Sequence, residues 1–460
     1  MDTLELPRAA RTADNPYLTG VHAPMREELT LTQLQVSGRI PPALRGRYLR
    51  MGPNPIGTTA ASAGKYHWFA GDGMVHGIRL QDGAALWYRN RWVRSTHVSK
   101  VLGEARAPGP RHLFDTVNTN VLGFGGRTYG LVEAGSTPVL LGEDLHTLAY
   151  TDLDGTLHGG LSAHPHLDPL TGEMIAVSYD AAKWRSVRYL VITPAGRVRR
   201  AVRIPVRHGP MIHDCAFTRR FAIVFDLPVT FSLRAALSGY AFPYRWNPDH
   251  PARVGLLPRE GEADDIGWFR LAPCFIFHAL NAYDTPQGAV VLDVVVHDRM
   301  FWQRTSGPDS QACRLERWTF EPLSGTIERT TLDPTAQEFP RIDERRLGQP
   351  YRYAYTMALR DPFLGTALFK HDLVEGRRQT HDFGPARHPC EFVFVPKHEG
   401  ADEDDGWLMG FVINAAAGAT DLVILDARAF ADPPVASVRV PHVIPPGFHG
   451  NWVADPAGNA

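Results

Sequence analysis

Short apolar runs bounded by turn residues dominate this chain, and helical periodicity is weak after residue 45. ALWYRNRWV, RTYGLVEA, EMIAVSYD, RYLVITP, FAIVFDLPV, AVVLDVVVHD, CEFVFVP, WLMGFVINA and DLVILDA are each rich in Val, Ile, Tyr, Phe or Trp. Gly, Pro, Asp or Asn bound them, a pattern that predicts strands. One hairpin type recurs, in LQDGAALWY, LGEDLHTLAY, ITPAGRVRR, FEPLSGTIERT, KHDLVEGRRQ and LDARAFADPPVASVRV. Its spacings are about 61, 51, 128, 51 and 54 residues, and a period near 50 suits one four-stranded propeller blade per repeat. The long gap holds one more blade plus an insertion. The pattern therefore predicts an all-β, seven-bladed propeller formed by one domain over residues 1–460. Residues 1–45 read as an irregular arm, and an insertion over about 227–265 reads as part of a cap.

The repeat gives distant histidines a way to meet. His164, His213 and His449 follow their hairpins by about 21–24 residues, and one phase of a propeller repeat means one radial depth. His278 lies in the stretched repeat, where phase gives no test. We expect these four to converge on one metal ion. Each one alone also reads as a hydrogen-bonded structural histidine, and the chain has 20. His67, His76, His158, His166, His208 and His297 read that way.

Composition narrows the partners. With 460 residues, 44% hydrophobic, the chain can bury a sizeable core, and 42 Gly, 37 Pro and 10 Trp suit strands and turns. A net charge of −1 argues against a nucleic-acid partner. Cys215, Cys274, Cys313 and Cys390 lack metal-type spacing and read as reduced structural thiols. The N-terminal stretch MDTLELPRAARTADNPYLTG has no apolar core, so no signal peptide is expected, and no run reaches the roughly 20 apolar residues of a membrane span. A cytoplasmic protein with at most peripheral membrane contact is expected. Residues 227–243, LPVTFSLRAALSGYAFP, carry one charge, Arg234. They read either as a buried helical insertion or as an exposed apolar patch that dips into a bilayer surface and opens to a substrate tunnel. Oligomeric state is not readable.

Nine segments, in order, carry a resemblance: YLRMGPNP (48–55), HWFAGDGMVHGIRL (67–80), NTNV (118–121), LVEAG (131–135), AHPHLDPLTGE (163–173), MIHD (211–214), FHALNAYD (277–284), EFVFVP (391–396) and FHGNWV (448–453). The chain resembles the carotenoid cleavage oxygenase family from about residue 15 to 455. The resemblance implies a seven-bladed propeller capped by helices and loops, with Fe(II) on its axis held by His164, His213, His278 and His449. The chemistry agrees, because imidazole suits iron and four neutral ligands leave positions for dioxygen. It also implies glutamates that orient three of the imidazoles. Glu133 and Glu391 match two of them. The third family glutamate precedes a Pro-Val-Ala segment that reads ADPPVA here, with Pro433 in its place and Asp432 as the substitute to test. Thr119 matches a threonine beside the open metal position in bacterial members, and Phe277 an aromatic of the substrate tunnel.

Members that cleave phenolic stilbenes tend to carry Lys directly before the LxEG glutamate, and here that residue is Val132. An apolar wall there favours a long polyene. The expected reaction is oxidative cleavage of a conjugated C=C bond of an apocarotenoid or carotenoid, with O2, to two carbonyl products. Cleavage of stilbenes or other phenylpropanoids, a non-oxidative retinoid isomerase, and a non-enzymatic propeller scaffold remain the alternatives.

Overall fold

The computed structural model describes residues 15–456 apart from 58–62, 113, 305, 309–311 and 361–362. Seven antiparallel sheets form the blades of a propeller. Blade 1 contains Gly46–Pro53, Gly73–Gln81 and Ala84–Trp92; blade 2 contains Asn120–Phe124, Arg127–Leu131, Val139–Leu141 and Thr147–Tyr150. Blade 3 contains His166–Leu167, Met174–Ser178, Ser186–Ile192 and Val198–Pro205; blade 4 contains Ala216–Phe217, Phe221–Asp226, Arg253–Pro258 and Gly267–Arg270. Blade 5 contains Phe275–Asp284, Val290–His297, Cys313–Glu321 and Thr326–Asp333; blade 6 contains Gln337–Arg341, Tyr353–Arg360, Leu364–Asp372 and Arg377–His381. Blade 7 contains Arg387–Pro396, Gly406–Asn414, Ala419–Asp426 and Ala436–Val440.

The predicted hairpins are the outermost turns of six blades, joining third to fourth strands. Their outer strands alternate: Val198–Pro205 reads half-buried, exposed, half-buried, exposed along its first residues. Inner strands are buried on both faces and lose the alternation, as in Met174–Ser178 and Phe221–Asp226.

The ring is closed by the chain ends. Gly450–Ala454 pairs with Gly46–Pro53 and becomes the inner strand of blade 1. Thr30–Leu31 adds to the outer edge of blade 1, and Gln35–Gly38 to that of blade 7. The expected irregular arm therefore contains two short strands, which cover sheet edges that would otherwise be open to other chains; its residues 1–14 lie outside the described residues.

The stretched repeat is blade 4. Its chain leaves the sheet after Asp226 and returns at Arg253, so the extra segment is residues 227–252 and stops short of 265. It forms a small hairpin, Val229–Phe231 with Tyr244–Trp246, around the short helix Leu233–Leu237. The strands are buried, but Leu233 and Leu237 are 65% and 81% exposed. The segment is thus neither wholly buried nor wholly helical. Among the described residues the α-helices are Thr96–Leu102 and Leu233–Leu237, so loops form most of the cap. No helix among the described residues is long and apolar enough to cross a membrane. All four cysteines are buried and free.

Candidate active site

First strands of neighbouring blades touch around the axis. Within or just before these strands stand His449 in blade 1, Thr119 in blade 2, His164 in blade 3, His213 in blade 4, His278 in blade 5, Glu338 in blade 6 and Glu391 in blade 7. The terminal stretch GFHGNW shows why this convergence needs its sequence. A Cβ on Gly450 would stand 2.5 Å from the Leu49 carbonyl oxygen, and one on Gly447 would stand 2.8 Å from that of Met51. Only glycine lets the last strand lie this close to blade 1. Buried Arg50, from YLRMGPNP, donates to the Pro445 carbonyl at 2.6 Å and clamps the approach. The His449 N–H donates to the Thr119 carbonyl at 3.1 Å, and Trp68 packs on Phe448 with ring centres 4.7 Å apart.

All four histidines are buried, with ring centres 4.2 to 6.2 Å apart. Three have the second ring nitrogen fixed by a carboxylate. His213 Nδ1 donates to Glu133 Oε1 at 2.7 Å, His278 Nδ1 to Glu338 Oε2 at 2.6 Å, and His449 Nδ1 to Glu391 Oε1 at 3.0 Å. With the proton on Nδ1, each Nε2 presents a lone pair. Yet His278 and His449 Nε2 face each other at 3.2 Å, and His164 and His213 Nε2 at 3.0 Å. Between His278 and His449, both held with the proton on Nδ1, two lone pairs this close call for a cation. One donor atom from each histidine lies within 4.8 Å of the others, so the set fits a metal ion. Burial lowers the pKa of His164 and of His449, which favours the neutral, ligating form.

The third carboxylate corrects the sequence reading. Asp432 and Pro433 are exposed in the turn between the last two strands of blade 7. The residue that orients His278 is Glu338, in QEFPR, which is fully buried. Its other oxygen accepts from His297 Nε2 at 2.9 Å, so His297 supports the site and is no bystander. Burial pushes the Glu338 carboxyl up, but His278 and His297 outweigh it and hold its pKa below the ordinary range. A signal existed in the repeat. Glu338 and Glu391 follow their hairpins by about 18 and 20 residues, close to the histidine phase.

A cavity of about 580 Å³ adjoins the cluster. Thr119, Val132 and Phe277 all line it, as do His213, His278 and His449. Thr119 Oγ1 donates to Asn118 Oδ1 at 2.9 Å, and the Phe277 ring lies 5.4 Å from that of His213. Phe69, Phe339, Phe363 and Phe448 make most of the wall apolar. The wall is not wholly apolar, however, because Tyr179 and Tyr244 belong to it, and nothing in the sequence assigns either to the pocket.

Known proteins share this architecture. The family model described as retinal pigment epithelial membrane protein, RPE65, matches residues 22–454. A carotenoid cleavage oxygenase of Mycobacterium tuberculosis is 42% identical, covering 96% of this chain and 98% of its own. Resveratrol cleavage oxygenase 1 of Aspergillus fumigatus is 30% identical, covering 96% of each. Among solved structures, cobalt-substituted Synechocystis ACO superposes with a TM-score of 0.84 at 28% identity, over 97% of this chain and all of the other. Pseudomonas brassicacearum lignostilbene dioxygenase reaches 0.86 at 26% identity, over 98% and 100%. Matches of this extent leave no part of the propeller unaccounted for, and the chain belongs to the RPE65 family, that of the carotenoid cleavage oxygenases.

Proposed function

We propose that the protein is an Fe(II)-dependent dioxygenase that cleaves a conjugated C=C bond of an apocarotenoid or carotenoid. The observation that carries this is the junction of four buried imidazoles with an aromatic-lined cavity of about 580 Å³. His164, His213, His278 and His449 would hold the metal. Imidazole suits zinc, copper, iron and nickel alike, but zinc has no redox chemistry and the relatives are oxygenases. Ferrous iron bound there supplies the activation of dioxygen, which no side chain can provide.

The overall reaction balances without another reductant. The C=C and O–O bonds break, and each carbon takes one oxygen to become a carbonyl. The protein's own residues do the rest. Glu133, Glu338 and Glu391 hold the imidazoles in one tautomer. Phe277, Phe339, Phe363 and Phe448 exclude water and fix how deep a polyene lies, and depth selects the bond.

Val132, beside Glu133 in the cavity wall, supports a polyene over a phenol. Val132→Lys should lower polyene kcat/KM by about tenfold or more, because a buried ammonium is repelled by a nearby metal dication. The check is kcat/KM for one long apocarotenal and one 4-hydroxystilbene in both proteins. Wild type preferring the stilbene by about tenfold would overturn the substrate class.

An apolar substrate also needs a route in. Phe114 lines the cavity yet is 71% exposed, and Ala236, Tyr240 and Ala241 line it beside exposed Leu233 and Leu237. Such a rim suits contact with a bilayer surface. Leu233→Asp with Leu237→Asp should weaken binding to phosphatidylcholine vesicles in co-sedimentation by about a hundredfold or more, since each apolar side chain contributes roughly 1.5–3 kcal/mol on burial. Equal sedimentation of both proteins would remove the membrane contact from the account.

A further inference from the structure

Two phenol groups in the cavity wall are left without work by the chemistry above. Tyr179 follows the second strand of blade 3, and Tyr244 opens the second strand of the inserted hairpin. They are 4% and 3% exposed, and their rings meet edge to face with centres 5.7 Å apart. Both line the cavity.

Of the other polar side chains on this wall, Asn118, Thr119 and Ser136 are engaged, and Glu133 is engaged through one oxygen while its Oε2 has no partner among the described residues. Asn118 Nδ2 donates to the Phe69 and Gly71 carbonyls, Thr119 Oγ1 to Asn118, and Ser136 Oγ to the Thr137 carbonyl; Glu133 Oε1 accepts from His213. Neither tyrosine hydroxyl has a hydrogen-bond partner among the described residues, and neither is sealed within protein atoms. Buried tyrosine hydroxyls are nearly always paired, so two unpaired ones on residues that line this cavity and the small void beside it mark a place for a ligand acceptor. Burial raises both phenol pKa values, and the Glu133 carboxylate adds to it. The groups therefore stay protonated and act as donors.

We propose that Tyr179 and Tyr244 form an oxygen-recognition subsite that donates hydrogen bonds to the carbonyl or hydroxyl end of an oxygenated polyene. This rests on the polyene-cleavage reading and narrows it, because a hydrocarbon polyene would leave both donors facing apolar carbon. The inserted hairpin then does more than shape the rim, since it supplies half of the subsite.

The test is binding without turnover. Iron-loaded protein is titrated anaerobically with an apocarotenal and with the hydrocarbon polyene of equal length, following quenching of tryptophan fluorescence. Wild type, Tyr179→Phe, Tyr244→Phe and the double variant are compared, with metal content and thermal midpoint as checks on folding. Phenylalanine keeps each ring. We expect Kd for the aldehyde to rise about fivefold in each single variant and about twentyfold in the double, with the hydrocarbon changed by less than about twofold. An unchanged aldehyde Kd in the double variant would overturn the subsite, showing that water satisfies the hydroxyls. Equal weakening of both ligands would overturn it as well, showing a packing role. Aerobic turnover separates the two claims. Tyrosine-dependent aldehyde binding with no cleavage product in wild type would refute the cleavage reading and support the subsite.

Discussion

His278→Ala should remove nearly all bound iron and lower turnover by about a thousandfold or more, and His164→Ala, His213→Ala and His449→Ala should do the same. The reason lies in the convergence of the four side chains. One donor atom from each lies within 4.8 Å of the others, on four different blades, so no neighbouring side chain stands ready to replace a lost imidazole. The propeller itself should survive. Each histidine sits just before or within an inner strand whose stability comes from its own sheet and from apolar packing. Iron per chain by emission spectrometry, with the thermal midpoint as control, is the check. Full iron retention in two of the four variants would sink the ligand assignment.

The carboxylates should not be equal. Glu338→Gln should cost about a hundredfold in activity or iron affinity, the upper end of the usual range for such orienting groups. Glu338 accepts from two imidazoles, His278 and His297, and is fully buried. A glutamine offers one acceptor and turns an amide N–H toward the other ring. If His278 responds by moving its proton to Nε2, it can no longer bind a metal. Glu133→Gln should cost only about tenfold, because Glu133 Oε2 has no hydrogen-bond partner among the described residues and the amide can point that way. Asp432→Asn should do nothing, since Asp432 is exposed in a turn. Iron affinity by competition with a chelator orders the three variants. Glu133→Gln costing more than Glu338→Gln would contradict this account of the orienting shell.

The outer halves of the blades were the legible part of the sequence. Their hairpins carry tight turns and half-exposed strands, so alternation and turn residues both survive there. The blade 4 hairpin escaped notice because its connection, between Pro258 and Gly267, contains the 3-10 turn Ala263–Asp265. Ring closure was hidden for a different reason. The pairing of Gly450–Ala454 with Gly46–Pro53 joins residues some 400 apart, and no local pattern reports it. Gln35–Gly38 is exposed at every position and has no apolar signature at all.

In the site, the four histidines were reached through phase and local motif together. Glu338 is hidden because the family motif points to ADPPVA, where this chain departs from the pattern, although the repeat phase points to the inner strand of blade 6. Tyr179 has no sequence signal, and Tyr244 reads from sequence as part of an interfacial rim beside the insertion, whereas it is buried in the cavity wall. One follows a buried strand, the other lies in the insertion, and only the packing of blade 3 against that hairpin brings them to one wall.

The central claim is that four axial histidines hold an iron that splits a polyene with dioxygen. Its most direct test is to give the iron-loaded protein a long apocarotenal under 18O2, reduce the products at once to alcohols, and weigh them by mass spectrometry. The account predicts two fragments whose carbons sum to those of the substrate, each carrying one 18O. Recovery of intact or merely isomerised polyene would contradict it, as would cleavage fragments that carry no 18O.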